Sequence, residues 1–325
     1  QTHWIAMLVR VLRELYGELP ARDFRPTLLR SVRAALVAGD PKATPRRKPW
    51  SRPIANRGAR QIIAIFRWGV SHELVGPDVP AALATLEPLR RGELGAREPA
   101  PVGPVPDHVL DATRPQLAPI VRAMVDLQLL TGMRSGELVQ MRPRDIDMSA
   151  PVWVYRPQRH KTEHHGFDRV VHLGPRAQDV LRPWLRTALD EPIWRGEADT
   201  PFDTTTYRKA VQRACDRADR AAQIAAGRLL TTCPVCRSDF ASPEHLKRHV
   251  RRKHTEMGVR LPEPRERLVP IWHPHQLRHN HATEVRRHFG AEAARAVLGH
   301  HSLDVTEIYA ERDARVAAEV AARLG

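Results

Sequence analysis

Cysteine is scarce in this chain, with three in 325 residues, at positions 215, 233 and 236. So small a number excludes a disulfide-built secreted scaffold. The Cys233–Cys236 spacing points instead to a metal, in a reducing cytoplasmic setting. Long apolar runs are absent as well, so no stretch of the sequence reads as a membrane-spanning helix. The N-terminus lacks the charged-then-apolar layout of a secretory signal, and a start at Gln1 rather than Met leaves open whether sequence precedes it. Acidic residues are the minority charge: 37 Asp and Glu face 52 Lys and Arg, for a formal net charge of +15. Such a field draws polyanions, nucleic acid first among them. The Lys/Arg-rich amphipathic anchor with aromatics that an anionic membrane surface would need does not stand out.

What is present is length enough for two domains with a substantial core. Residues 1–90 read as helical, with "HWIAMLVRVLRELY" and "RQIIAIFRWGVSHEL" carrying apolar residues at three- and four-residue intervals. The stretch between them, "GDPKATPRRKPWSRP", is expected to form an exposed basic loop able to touch phosphate. Residues 91–107, rich in Pro and Gly, read as a semi-rigid linker and a domain boundary. A buried helix, a break at Gly132 and a second helix are expected from "PIVRAMVDLQLLTGMRSGELVQM". The β-branched runs "VWVYR" and "DRVVHL" predict a hairpin, and residues 176–226 return to a helical pattern.

The sharpest local pattern is "CPVCRSDFASPEHLKRHVRRKH". Cys233 and Cys236 lie two residues apart, twelve residues precede His249, and four more precede His254. Two thiolates on a hairpin and two imidazoles about one helical turn apart can close a tetrahedron around Zn2+. Phe240 and Leu246 fall where so small a unit needs its core, and Ser242–Pro243 makes a helix N-cap and first turn. A redox Cys-x-x-Cys would explain neither the histidines nor that core. The segment resembles a C2H2 zinc finger, and residues 228–266 are assigned to it. In fingers of this pattern the positions of Ser242, His245 and Arg248 face bases, so His245 and Arg248 are candidate DNA contacts.

A second cluster, "HPHQLRHNHATEV", follows at residues 273–285. Pro274 can start a helix, which sets His275 and Arg278 three residues apart on one face, with His279 one position further round. Taken alone, this is equally a metal site or a solvated basic face. Two companions change the reading. In "TGMRSGEL", Arg134 follows a glycine break at a helix start, where a guanidinium and backbone N–H groups can hold an anion together. In "LGHHSLDVTEIYAERD", His300 precedes Tyr309 by nine residues, and tyrosine occurs only four times in the chain.

Together these motifs resemble the tyrosine recombinase (phage integrase) family: Thr-Gly-x-Arg-x-x-Glu-Leu, then His-x-Leu-Arg-His, then Leu-Gly-His followed by a tyrosine, in that order. Lys161 in "HKT" matches the family's hairpin lysine. The resemblance covers residues 108–325, and residues 1–90 look like the family's helical core-binding domain. It implies a mainly α fold with a small antiparallel β-sheet, here carrying the ββα finger as an insertion. Family members usually have a shorter connection at that point, so the finger is a departure whose role is extra DNA grip or target choice.

The resemblance also implies a catalytic set: Arg134, Lys161, His275, Arg278, His300 and Tyr309. Attack on a DNA phosphodiester adds charge to its non-bridging oxygens, and two permanently charged guanidiniums suit that task. His275 and His300 add hydrogen bonds and handle protons near neutral pH. Tyr309 attacks to leave a 3′-phosphotyrosyl link, Lys161 protonates the 5′-oxygen that leaves, and a second strand's 5′-hydroxyl reverses the step. Neither ATP nor a catalytic metal is required. Glu137 reads as the partner that orients the Arg134 helix. His273, His279, His281 and His301 read as supporting or surface residues, and His160, His164 and His165 as loop residues near DNA or solvent. The Ala-rich helix after Tyr309 is expected to pack at home or dock on a neighbour. The partners implied are double-stranded DNA and a homotetramer assembled on it from a chain monomeric in solution, with no membrane. A type IB topoisomerase shares this chemistry, and a non-catalytic DNA-binding regulator of the same fold is the reading from another class.

Overall fold

The computed structural model describes residues 2–43, 46–158, 169–263 and 266–298. The chain divides into two compact units, 1–101 and 102–325. No helix among the described residues is long and apolar enough to cross a membrane.

The first unit is helical, with α1 (Thr2–Tyr16), α2 (Pro26–Ala38), α3 (Arg52–Ser71) and α4 (Asp78–Leu83). Pro26 and Pro53 open α2 and α3, where a missing N–H costs nothing. Apolar residues at helical spacing bury one side of each helix, and Leu8, Val11, Leu29, Val32, Leu36, Ile62 and Leu83 form the core. Helix α2 ends at Gly39 with φ +69°, and a Cβ there would lie 2.6 Å from the backbone nitrogen of Pro49. The basic loop is exposed at Lys42, Arg46 and Lys48, while two of its residues turn inward. Arg47 pairs with Glu14 at 2.7 Å, Asp40 and Arg47 form a backbone bridge, and Trp50 is buried. Arg47 is thereby committed to the protein rather than offered to phosphate.

The second unit is mainly helical around a small sheet. It runs α5 (Asp107–Thr113), α6 (Pro119–Thr131), α7 (Ser135–Val139), β1 (Ile146–Asp147), β2 (Trp153–Tyr155), β3 (Val171–Leu173), α8 (Pro175–Leu181), α9 (Thr204–Ala225), α10 (Pro243–Lys253) and α11 (Pro274–Leu298). The strands lie in the order β1-β2-β3, all antiparallel, with Trp153 opposite Leu173 and Tyr155 opposite Val171. Alternation puts Trp153, Tyr155, Val171 and Leu173 on the buried side. Residues 182–203 do not continue the helix expected there, because Pro183, Pro192, Gly196 and Pro201 interrupt the backbone hydrogen-bond ladder. Helix α11 breaks at Gly290, whose φ of +84° is non-helical.

Candidate active site and metal-ligand cluster

The candidate active site grows from the turn that ends α6. Gly132 closes the helix with φ +62°, donating its N–H to the Gln128 carbonyl at 2.8 Å. A Cβ at Gly132 would lie 2.5 Å from Cδ2 of His281, so only glycine admits α11 this close. The fully buried Gln128 fixes the next residues: its amide donates to the Met133 carbonyl at 2.9 Å, while its own oxygen accepts from the Tyr207 hydroxyl at 2.9 Å.

Arg134 is the N-cap of α7, in extended conformation. Its backbone N–H donates to Glu137 Oε2 at 2.8 Å and its Nη1 donates to Oε1 at 2.7 Å, so one carboxylate holds both ends of the arginine. Glu137 is 2% exposed and also accepts from Arg169 Nε at 3.4 Å. Burial by itself would raise its pKa. The charge of Arg169 and the N–H groups and charge of Arg134 outweigh that, and hold the carboxyl below its ordinary value. The Tyr155 hydroxyl donates to the Glu137 carbonyl at 2.7 Å, which ties α7 to the sheet.

Helix α11 supplies the second arginine. Pro274 begins it, His275 is exposed, and Arg278 is 1% exposed. Arg278 Nη1 donates to the Gly132 carbonyl at 2.7 Å and Nη2 to the Leu298 carbonyl at 2.6 Å. The His275 and His279 rings meet edge to face at 5.6 Å. Burial first, then the charges of His275 and Arg278, pushes His279 down to about 4. His281 lies 2.9 Å through Nδ1 from the Leu129 carbonyl, which makes Nδ1 the protonated nitrogen.

Arg134 and Arg278 are therefore gathered at one turn, linked through Gly132, with His275 at the head of the helix that carries Arg278. Lys161, His300 and Tyr309 lie outside the described residues, as do His160, His164, His165 and His301. The described chain stops at Leu298, two residues short of His300, and Lys161 falls in the connection between β2 and β3. Sequence reasoning misses Gln128, Tyr155 and Arg169. Arg169 stands just before a β-branched run, where a charged residue ordinarily reads as solvated; no local pattern marks it.

The second constellation is local. Ligand atoms of Cys233, Cys236, His249 and His254 all lie within 4.8 Å of one another. A tight turn presents the cysteines: Thr232 bridges to Asp239, the Cys233 N–H donates to the Ser238 carbonyl at 2.8 Å, and the Phe240 N–H to the Thr231 carbonyl at 2.9 Å. Ser242 caps α10 by accepting from the His245 N–H at 3.3 Å. Helix α10 carries His249, with the ring of Phe240 against it at 4.6 Å. The small core is broader than Phe240 and Leu246: Leu246, Val250 and Cys233 are buried, and Leu230, Val235, Val259 and Leu261 pack beside them. His245 and Arg248 are exposed, and His245 Nδ1 sits 3.2 Å from the Ser242 hydroxyl. Both ends of this module meet one residue of α9. Arg228 and Leu229 donate their N–H groups to the Gln223 carbonyl at 2.8 and 3.1 Å, and Gln223 Nε2 donates to the Glu266 carbonyl at 2.8 Å.

By sequence, no curated protein matches the chain. Solved structures do match by shape. The XerH site-specific recombinase bound to a palindromic difH substrate, in a post-cleavage complex, is 13% identical with a TM-score of 0.61, covering 98% of this chain and 78% of that one. The Tn1549 transposon integrase in complex with circular intermediate DNA is 12% identical with a TM-score of 0.61, covering 96% and 91%. A lambda integrase dimer bound to a COC′ core site is 15% identical with a TM-score of 0.58, covering 97% and 89%. Identities this low establish likeness of fold. Residues 108–233, from the start of α5 to the first cysteine of the cluster, match the phage integrase family.

Proposed function

We propose that the chain is a site-specific DNA recombinase that cuts and rejoins strands through a 3′-phosphotyrosyl intermediate. The observation that carries this reading is the joining of Arg134, inside residues 108–233 that match the phage integrase family, to Arg278 of α11, beyond them, at the Gly132 turn. Guanidiniums on two sides of one turn can hold a phosphate's non-bridging oxygens and stabilise the charge that attack adds. Arg134 is positioned for this by Glu137. The Arg278 guanidinium is held at the turn by the Gly132 and Leu298 carbonyls, which fixes its plane. His275 and His300 hydrogen-bond the phosphate and relay protons, Lys161 protonates the 5′-oxygen that leaves, and Tyr309 is the nucleophile. The products are a 3′-phosphotyrosyl link and a 5′-hydroxyl, and the reverse attack by another strand's hydroxyl exchanges partners. The chain works in the cytoplasm as a tetramer assembled on DNA.

Residues 228–266 form a zinc finger inserted in the catalytic domain. Bond lengths of roughly 2.3 Å to sulfur and 2.0–2.1 Å to nitrogen place tetrahedral ligand atoms about 3.3–3.8 Å apart. The cluster is already near this: Cys236 Sγ to His249 Nε2 is 3.2 Å, as is His249 Nε2 to His254 Nε2. Bound Zn2+ fixes the module's fold and takes no part in strand transfer. His245 and Arg248 on the exposed side of α10 add grip on DNA outside the cleavage centre.

A duplex nicked beside the scissile phosphate tests the reading, because loss of the short fragment traps the covalent adduct. Wild-type protein should accumulate the adduct, and Tyr309→Phe should abolish it while the Kd for DNA stays within about twofold. Wild-type binding without an adduct would leave a non-catalytic regulator. Relaxation of supercoils with no joining of separate duplexes would make the enzyme a topoisomerase.

A further inference from the structure

Arg169 is a cation with an unusual location. Its side chain is 6% exposed, just ahead of β3, in a protein whose other arginines mostly reach solvent. Nε donates to Glu137 Oε1 at 3.4 Å, Nη1 donates to the Val297 carbonyl at 3.2 Å, and Nη2 is buried with no partner among the described residues. Burying a guanidinium with an unpaired donor costs stability, so simple packing is a poor reason for its presence. The same Oε1 accepts Arg134 Nη1 at 2.7 Å, so two guanidiniums share one carboxylate oxygen. Charge counting gives the consequence. Glu137 paired with Arg134 alone would be neutral, whereas the triad keeps one net positive charge beside the partly exposed Arg134.

We infer that Arg169 is a positioning residue of the strand-exchange centre, sharing Glu137 with Arg134 to fix that guanidinium's direction and charge while its bond to Val297 sets the end of α11. The chain continues from that end to His300 and Tyr309. Buried as it is, Arg169 acts through Glu137 and Val297 rather than on DNA. The inference rests on the recombinase reading and deepens it.

The test compares wild type, Arg169→Lys, Glu137→Gln and the double variant on the nicked duplex. Single-turnover adduct rate at saturating DNA is measured separately from the Kd. A lysine keeps the charge but has no fork to reach both Glu137 and Val297. The expected result is an adduct rate about tenfold lower in Arg169→Lys with the Kd within about twofold. In the Glu137→Gln background, Arg169→Lys should add less than its effect in wild type, because the Glu137 arm is already weakened and only the bond to Val297 remains to be lost. A wild-type adduct rate in Arg169→Lys, a loss carried wholly by the Kd, or full multiplicativity in the double variant would overturn the inference while leaving the recombinase reading intact. Absence of an adduct from the wild type would overturn that reading and the inference with it. Should Arg169→Lys fail to fold, Arg169→Met carries the same expectation; failure of both to fold would show a role in stability alone and overturn the inference.

Discussion

The Arg278 guanidinium donates to the carbonyl of Gly132 at 2.7 Å, across 146 residues of sequence. That bond sets the second candidate catalytic arginine against the turn that presents the first. It also explains why the turn must be glycine: the backbone there is left-handed, and His281 from α11 fills the space a side chain would need.

Gly132→Ala should accordingly be severe. The substitution forces an alanine into φ +62° and brings a Cβ to within 2.5 Å of His281 and 3.1 Å of Leu298. A left-handed non-glycine residue and a core overlap each cost on the order of 1–3 kcal/mol. Urea midpoints report the loss. An alanine variant as stable as wild type would mean that α11 does not press on this turn.

Acid should destabilise the second unit before its carboxylates titrate. His279 is pushed from 6.5 down to about 4, by burial first and then by His275 and Arg278. His281 is lowered too, by burial first, with its bond to Leu129 and the charge of Glu284 opposing. Both rings stay neutral in the folded chain where the unfolded chain takes up protons. Their contribution is full above about pH 6.5 and falls away as the pH drops toward about 4. Below the ordinary glutamate range, loss of the Glu137 charge adds to the fall. Chemical denaturation at several pH values between about 7.5 and 4 should show the decline, and His279→Asn, which cannot charge, should reduce its slope. A flat profile over that window rules the explanation out.

Metal removal should act locally. Cys236 is lowered to about 5, chiefly by hydrogen bonds from Ser238 and then by His254, so a thiolate stands ready at neutral pH. Elemental analysis should find about one zinc per chain, lost on chelation or in Cys233→Ser. Hydrogen exchange should then rise over residues 230–261 while α6 and α9 keep their protection. Unchanged protection in that segment after chelation would show that zinc does not organise it.

The features legible in the sequence are those whose cause is local. Pro274 starts α11 because proline suits a first turn, Gly132 ends α6 because only glycine turns left-handed there freely, and the β-branched runs pair as β2 and β3. The four-ligand cluster is readable in full, since its whole geometry lies within 22 residues, from Cys233 to His254. Other features arise at long range. Tyr207 reaches Gln128 across 79 residues and Arg169 reaches Glu137 across 32, so neither partner marks the other in the sequence. Strand β1 is two residues long, too short to show a period, and it exists because β2 offers an edge. One residue of the basic loop escapes a sequence reading for a similar reason: Arg47 finds Glu14 only once α1 and α2 have packed.

Gln223 shows what a host domain needs in order to carry a passenger. Because the outgoing and returning chain both fasten to this one residue, the module enters and leaves α9 at nearly a single point. An insertion joined in that way makes no demand on the spacing of the surrounding helices. A domain so built can gain, lose or trade an accessory module without re-engineering the helices that carry it.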